Sequence, residues 1–463
     1  MAEMIKSDQE QIDSMDNDAR NKELASWILG HCQDWRDYRN TNYQDSWDEY
    51  ERIWRGIWDG EDKTRESERS RIISPATQQA VEAYVSELDE AIFGKGDFFD
   101  IEDNWKDENK VDIEQMKRQL KEDFKKTKMR YTLQELELLS AVYGTGICEI
   151  TVKEKEELAP ATQPIPGTFM AAVGVMSKPR FYVYSRAISP RNFLIDPNAT
   201  DVDSAMGCAV EEYVSKHLIV KGMEDGIYNV VNLGGGSVDD PDLEPFYQDS
   251  DYQKDKVKVL KYYGLVPRDL LSKEEDDMNE TPEKEEFEDL FEEENYNENY
   301  VDMVEAIIVI ANDGELLKAE INPYMMKDRP VAAFRCDIIP GRFWGRGIVE
   351  KGYNMQKAID GQLRSHMDNL ALTTAPMMAM DATRMPRGAS YTVRPGKTIL
   401  TNGNPNEIMM PMKFGQTDVA NATQAREFER MLLMATGTFD TSSIPSNLSG
   451  EQTATGISML LGA

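Results

Sequence analysis

PGRFWGRGIVEKGYNMQKAIDGQLRSHMDNLALTTAPMMAM, residues 340–380, is the stretch that decides the fold. Glycines surround Phe343 and Trp344 at its start. Pro376 lies near its end, and proline lacks the N–H that a helix needs and disfavours helical geometry in the residue before it. Between these points apolar residues recur at steps of three, four or seven, the spacing of one helix face: Ile348, Met355, Ile359, Leu363, Met367 and Leu370. The pattern predicts a helix over 348–375, roughly 40 Å long. Periodicity alone also fits a core helix of an ordinary α/β protein.

The residues after this helix predict a small β insert and then a second helix. Residues 384–415 are rich in proline, glycine and β-forming residues, so short strands and turns are expected. Asp418 is an acceptable N-cap for a helix that continues to residue 436. A loop of serine, threonine and glycine follows, and then the start of another helix. The predicted order is therefore long helix, β insert, helix, polar loop and helix.

That order, with the segments RFWGRG, PGKTILTNGNP and MLLMATGTFD, resembles the portal proteins of tailed bacteriophages, most closely those of the short-tailed type. The earlier segment SRIISPATQQAV is similar to the start of the wing in such portals. The resemblance implies an α+β, mainly helical fold with a wing, a two-helix stem, a small α/β clip and a tunnel loop. The expected divisions are a flexible N-terminal arm at 1–20, the wing at 21–340 with an acidic insertion at 272–298, the stem helix at 341–375, the clip at 376–416, the returning stem helix at 417–437, the tunnel loop at 438–455 and the start of a truncated tunnel helix at 456–463.

The resemblance also implies a function without catalysis. Such a protein forms a ring of twelve subunits at one capsid vertex, and double-stranded DNA passes through its channel during packaging and ejection. Expected partners are the other copies of the chain, the terminase large subunit, a tail adaptor, and the capsid and scaffold proteins. The expected location is the virion after assembly in the host cytoplasm, with no cofactor, metal or membrane.

Three groups of residues are candidates for the functional surfaces. Lys351, Lys357 and Arg364 on the stem helix are candidates for transient phosphate contacts in the channel, and each is alternatively a solvated helix residue or part of a salt bridge between subunits. Four basic residues of the clip are candidates for contacts with terminase or adaptor, or with neighbouring clips: Arg384, Arg387, Arg394 and Lys397. The tunnel loop carries small polar residues, as mobile loops do: Thr438, Asp440, Thr441, Ser442, Ser443, Ser446, Asn447 and Ser449.

The charge of the chain fits a pore better than a nucleic-acid coat. The formal net charge is −32 over 463 residues, whereas a protein that coats nucleic acid displays a basic surface. A channel that attracted phosphates strongly would hold DNA in place. Much of the acid lies in 272–298, a solvated insertion or, alternatively, a docking site for a basic tail or scaffold protein.

No catalytic or metal-binding motif survives inspection. Arg394-Pro395-Gly396-Lys397-Thr398 resembles the end of a P-loop, but Tyr391 stands where that motif requires glycine. The four cysteines are far apart and form no C-x-x-C pair. The spacing of Asp196, Asp201 and Asp203 does not match an EF-hand, so a turn at Asp196-Pro197 is expected. Two alternatives stay open: an enzyme or nucleic-acid-processing factor with an unrecognised active site, or another structural adaptor of the virion.

The earlier part of the chain predicts alternating helices and strands. An aromatic stripe over residues 27–58 predicts helical core or interface packing, and base stacking is the alternative. Gly144 is expected to end a helix, residues 158–179 are expected to form a loop, and 256–266 a strand. A β-hairpin is expected over 303–321 with its turn at Asn312-Asp313-Gly314.

Overall fold

The computed structural model describes residues 2–66, 69–94, 98–101, 113–164, 171–231, 233, 256–271, 302–312, 314–324, 326–374, 378–380, 409–411 and 419–437. The chain divides into two units. Unit 1 comprises Met1–Glu51 and Val85–Gly347, and unit 2 comprises Arg52–Tyr84 and Ile348–Ala463. None of the described helices is both long enough and apolar enough to cross a membrane.

The helices are predominantly amphipathic or polar. In chain order they are α1 (Ala2–Arg39), α2 (Asp45–Arg55), α3 (Gly60–Thr64), α4 (Ala76–Phe93), α5 (Ile113–Lys126), α6 (Met129–Tyr143), α7 (Lys216–Glu224), α8 (Ile348–Thr374) and α9 (Val419–Thr436). A π-helical turn, Asn40–Gln44, joins α1 to α2. Gly144 ends α6 in the left-handed region at φ +93° and donates its N–H to the Ser140 carbonyl, as predicted.

The strands of unit 1 form two antiparallel sheets. The first has the order β2-β1-β8 and the second the order β3-β4-β5-β6-β7. The bounds are β1 (Thr145–Pro164), β2 (Ala171–Ile188), β3 (Phe193–Ile195), β4 (Gly207–Ser215), β5 (Lys256–Pro267), β6 (Met303–Ala311), β7 (Glu315–Ile321) and β8 (Val331–Arg335). The second sheet has an apolar core on each face: α1 packs on the core that contains Tyr262 and Ile308, and Ile219 of α7 lies in the other, with Val309.

Several predictions for this unit are confirmed. The strand predicted at 256–266 is β5, and the hairpin predicted over 303–321 is β6–β7, with Asn312 at φ +47° in its turn. The expected turn at Asp196 is present, since the Ala199 N–H donates to the Asp196 carbonyl at 3.0 Å.

Two predictions for this unit differ from the structure. The loop expected at 158–179 is wrong, because β1 and β2 stay paired until Pro164 faces Ala171. Beyond Glu149, β1 has no second neighbour among the described strands, and proline is tolerated on such an edge. Where a flexible arm was expected over 1–20, α1 begins at Ala2. The segment before Gly30 contains no glycine or proline, so nothing local interrupts a helix.

Unit 2 contains the two predicted long helices. α8 extends over 27 residues, Ile348–Thr374, and α9 extends over Val419–Thr436. The short strands β9 (Met378–Met380) and β10 (Met409–Pro411) pair antiparallel between them in the chain. Gly352, near the start of α8, lies beside Leu432, near the end of α9, because a Cβ added to Gly352 would lie 3.4 Å from the Leu432 side chain. The two helices therefore run antiparallel, and the predicted order of helix, strands and helix is confirmed.

Candidate functional site

The central feature of unit 2 is a row of four polar residues on α8, spaced four apart: Gln356, Asp360, Arg364 and Asp368. Residues four apart lie on the same side of a helix. Gln356 and Asp368 are buried, and Asp360 and Arg364 are half-buried. We call this row the polar ladder. It bonds the segment 62–77, which precedes and starts α4.

The first rung of the polar ladder is Gln356, which is 1 % exposed. Its Oε1 accepts from the Thr77 N–H at 3.1 Å and from the Thr77 hydroxyl at 2.8 Å. Its Nε2 donates to the Ser74 carbonyl at 2.8 Å. The side-chain amide therefore satisfies three groups of the segment at the start of α4, where helix N–H groups lack partners within the helix.

The second and fourth rungs are carboxylates that accept backbone N–H groups. Asp360 accepts from the Ser74 N–H at 2.7 Å, and Asp368 accepts from the Ser70 N–H at 2.7 Å. Burial raises the pKa of Asp360 above its ordinary value, although its hydrogen bonds from Ser74 and Gln356 oppose the shift. Asp368 also lies 3.4 Å from the Arg69 guanidinium. The carboxylates thus fix the path of the extended backbone along α8.

The third rung is Arg364, one of the predicted channel residues. Its two terminal nitrogens donate to the two carboxylate oxygens of Asp62 at 2.6 and 2.9 Å, and its Nε donates to the Ile72 carbonyl at 2.9 Å. The side chains of Arg364 and Asp62 are 16 % and 11 % exposed. Parallel two-fold contacts of this kind are the strongest arginine–carboxylate geometry. The structure therefore places Arg364 in an ion pair within unit 2.

The other two predicted channel residues lie off the polar ladder. Lys357 is exposed, and its Nζ lies 4.4 Å from the centre of the Tyr353 ring. Lys351 is half-buried near the start of α8. The three predicted channel cations therefore have different surroundings. Arg364 pairs with the Asp62 carboxylate, whereas Lys357 lies beside the Tyr353 ring and is exposed to solvent.

The buried side chains of the apolar face of α8 lie in the first half of the helix. Ile348 and Ile359 are buried, whereas Met367 and Leu370 are exposed. On α9, Leu432 is buried, whereas the nearby Met431 and Met434 are exposed, the last by 66 %. The helix pair therefore presents large apolar side chains that the described part of the chain leaves uncovered.

The segment RFWGRG, which precedes α8, is anchored in unit 1. Phe343 and Trp344 are buried, and the Trp344 ring centre lies 4.9 Å from that of Trp47. The Gly345 N–H donates to the Thr145 hydroxyl at 2.8 Å. A Cβ on Gly345 would lie 2.6 Å from the Gly144 carbonyl oxygen, so the two backbones touch. These contacts explain the glycines and aromatic residues that made the segment recognisable.

The buried tryptophans of the predicted aromatic stripe pack in the core of unit 1. Trp47 is fully buried, and Trp35 stacks on Tyr262 with ring centres 6.1 Å apart. These contacts confirm core packing for both tryptophans. Trp58 is exposed and carries the Arg71 guanidinium 5.6 Å from its ring centre.

One buried carboxylate in unit 1 has an unusual environment. Glu137 on α6 is 2 % exposed, and neither of its carboxylate oxygens has a hydrogen-bond partner within the described residues. Burial raises its pKa to about 7; the Asp89 charge adds to the shift, and Arg130 opposes it. Among the described residues, no three histidine, cysteine or acidic side chains assemble into a metal site.

The remaining predicted sites lie outside the described residues. These are the clip cations Arg384, Arg387, Arg394 and Lys397, the tunnel-loop residues from Thr438 to Ser449, the acidic insertion at 272–298 and the segment 456–463. Sequence reasoning missed the polar ladder. Its signal was present in the exact four-residue spacing of Gln356, Asp360, Arg364 and Asp368.

Comparison with known proteins gives one family. The family model described as phage SU10 portal protein matches residues 104–463, which is well over half of the chain. No curated protein matches. The matched range includes both sheets of unit 1 and the α8–α9 pair.

Proposed function

The chain belongs to the phage portal protein family, and from that premise we propose that α8 and α9 are the stem of the portal, with residues 376–416 as its clip. As a portal protein it forms a ring at one capsid vertex, through which the genome is packaged and ejected and on which terminase and tail components dock. The match to the SU10 family is consistent with a short-tailed phage.

The observation that carries the stem assignment is the antiparallel packing of α8 and α9, which are connected through a strand pair. Gly352 meets Leu432 at one end of the pair, and β9 pairs with β10 in the connection at the other. We assign 21–340 to the wing, 341–375 and 417–437 to the stem, and 438–455 to the tunnel loop. Residues 1–20 are then an N-terminal arm, 272–298 a wing insertion, and 456–463 the start of a tunnel helix.

The uncovered apolar side chains of the stem support side-by-side packing of copies. A closed ring uses heterologous contacts, in which one surface of a subunit meets a different surface of the next. Met367 and Leu370 lie toward the clip end of α8, and Met431 and Met434 lie toward the opposite end of α9. We assign these residues to contacts between stems in a ring of twelve subunits.

The channel role is assigned to the exposed lysine rather than equally to all three cations. Lys357 is solvent-exposed on α8, with its Nζ 4.4 Å from the centre of the Tyr353 ring, and an exposed cation can make brief phosphate contacts. Arg364 already has a carboxylate partner, which supports a role in shaping the stem. Lys351 is a second, less accessible candidate. Weak and sparse cation contacts suit a channel through which DNA must slide.

The docking partners are proposed for the clip and the wing. Arg384, Arg387, Arg394 and Lys397 would present positive charge from the clip to the terminase large subunit and later to the tail adaptor. The acidic insertion at 272–298 would face a basic tail or scaffold protein. The portal itself carries out no reaction in this proposal, and its place is the virion.

Negative-stain electron microscopy combined with mass photometry tests the function. We expect rings of about a dozen subunits around an open channel. Met434→Ser is expected to weaken the rings, because it removes an exposed apolar contact, whereas the exposed polar Gln424→Ser is the matched control. A strict monomer at high protein concentration would contradict the ring and favour the alternatives of an enzyme or a different virion adaptor.

A further inference from the structure

Glu137 on α6 is a buried acid for which the proposed function has no role. It is 2 % exposed, and neither of its carboxylate oxygens has a hydrogen-bond partner within the described residues. A charged group that is buried without a partner is strongly destabilised, so such a group keeps its neutral form. While its surroundings stay closed, Glu137 therefore holds its proton.

Glu137 lies on the face of α6 that holds the end of α4. Four residues of α6 are spaced four, three and four apart, the spacing of a single helix face: Arg130, Gln134, Glu137 and Ala141. The Arg130 guanidinium and the Gln134 amide donate to the two carboxylate oxygens of Asp89 at 2.7 and 2.9 Å. These two hydrogen bonds attach the end of α4 to α6, one and two turns before Glu137.

The backbone that precedes α8 packs one turn beyond Glu137. A Cβ added to Gly347 would lie 2.7 Å from the Ala141 carbonyl oxygen, so this backbone touches α6 directly. Glu137 is thus positioned along α6 between two close contacts, that of Asp89 and that of Gly347. A change in its charge would act on both.

The charges that act on Glu137 belong to α4 and to α6 itself. Asp89 of α4 opposes its ionisation, whereas Arg130 of α6 favours it. The hydrogen bond from Arg130 keeps the pKa of Asp89 below its ordinary value, so Asp89 is ionised. The first sheet packs on a different side of α6, where the Thr132 hydroxyl donates to the Ser185 carbonyl at 3.2 Å. The other charged side chains at this end of α4 and just before α8 are exposed: Glu87, Glu90 and Arg346.

From these observations we infer that Glu137 is a proton-controlled latch on the end of α4. With its proton, Glu137 is neutral, and the contacts on either side of it stay closed. When Glu137 releases the proton to solvent, the new carboxylate lies near ionised Asp89 and competes with it for the Arg130 and Gln134 donors. The end of α4 then separates more readily from α6. The inference goes beyond the proposed function and does not depend on ring formation.

Hydrogen exchange followed by mass spectrometry over a range of pH tests the latch in the full-length chain. Peptides from the end of α4 are compared with the same peptides of Glu137→Gln at each pH, so the intrinsic effect of pH on exchange cancels. An acid with a pKa of about 7 when closed and 4.5 when opened increases the opening equilibrium roughly fortyfold from pH 5 to pH 7, and only about twofold from pH 7 to pH 8. We expect the ratio of exchange in the unmodified chain to that in Glu137→Gln to follow this curve.

Two further variants separate the latch from a structural role. Glu135→Gln is the matched control, because Glu135 is an exposed acid of the same helix and its loss should leave the pH dependence unchanged. Asp89→Asn removes the neighbouring negative charge, so the increase in exchange with pH should become smaller. A purely structural loss of the Asp89 contacts would instead raise exchange by the same factor at every pH.

The decisive comparison is between the unmodified chain and Glu137→Gln. A ratio of exchange that stays constant from pH 5 to pH 8 would overturn the latch and leave the portal function intact. Glu137→Leu also carries no charge, and it should give the same lack of pH dependence as Glu137→Gln. An increase with pH that persists in Glu137→Leu would likewise overturn the latch.

Discussion

Breaking the Arg364–Asp62 pair should release the segment 69–77 from α8. Arg364→Met keeps much of the side-chain length but removes both hydrogen bonds to the Asp62 carboxylate, which is 11 % exposed. Removal of one partner from a largely buried pair costs about 3–5 kcal/mol, because the other charge stays buried without compensation. Since each ~1.4 kcal/mol changes an equilibrium constant tenfold, the equilibrium constant for opening this segment should increase by roughly a hundredfold to several thousandfold.

Hydrogen exchange followed by mass spectrometry measures that opening directly. The Ser70 and Ser74 amides donate to Asp368 and Asp360 on the polar ladder, so peptides that contain them should lose protection in Arg364→Met. Asp62→Leu in the same chain should recover much of the protection, because no buried charge then remains. Lys357→Met is the control, since an exposed substitution changes stability by about 0.5 kcal/mol or less. Equal exchange in Arg364→Met and the unmodified chain would refute the role assigned to the pair.

Three further predictions follow from the geometry. Gln356→Met leaves the Thr77 and Ser74 groups without their hydrogen-bond partner. Calorimetry should therefore show that the free energy of unfolding falls by about 3 kcal/mol. Gly345→Ala places a Cβ 2.6 Å from the Gly144 carbonyl oxygen, so it should lower the melting temperature. Gly361→Ala lies inside α8 with no atom within 4 Å of the added Cβ, so it should stabilise the helix by about 1 kcal/mol and raise the melting temperature. A higher melting temperature for Gly345→Ala than for Gly361→Ala would contradict the close approach at Gly345. Glu137 keeps its proton in the folded chain up to pH about 7, above the unfolded value of 4.5, so the stability it contributes falls as pH rises between these values. Urea titrations at pH 5 and 8 should show that Glu137→Gln reduces this fall, and an unchanged difference would argue against the assignment.

The elements that were predicted correctly have local signals. α8 is marked by apolar residues at helical spacing and ends at Thr374, two residues before Pro376. The turn between β6 and β7 contains Asn312-Asp313-Gly314, which favours positive φ, and Asn312 adopts φ +47°. In both cases the residues that determine the conformation are neighbours in sequence, so no distant contact had to be known.

The β1–β2 hairpin was missed because its determinant is pairing between strands. Residues 158–179 contain prolines and small residues that on local grounds indicate a loop. In the structure each of these strands lies on the edge of a two-stranded ribbon, where a proline need not remove a ladder hydrogen bond. The local preference of these residues for a loop was weak, and pairing with the opposite strand determined that they form β1 and β2.

The polar ladder was missed for a related reason. Polar residues on a helix are ordinarily assigned to solvent, and nothing near α8 in sequence indicates that Asp360 and Arg364 meet residues 72–74 and 62. The partners lie nearly 300 positions away, in a segment grouped by sequence with the wing. Burial of these polar residues is possible because every rung has a charged or backbone partner.

The polar ladder also changes how a loss of DNA passage must be interpreted. Because Gln356, Asp360, Arg364 and Asp368 bind one segment along three turns of α8, they fix the rotation of the helix about its own axis within unit 2. A variant of Arg364 would therefore alter the direction in which Met367 and Lys357 project, and it would disturb stem packing even if Arg364 never met a phosphate. Lys357 lies outside the polar ladder. A defect in packaging or ejection with intact rings and unchanged hydrogen exchange in Lys357→Met would assign a phosphate contact, whereas the same defect in Arg364→Met would not.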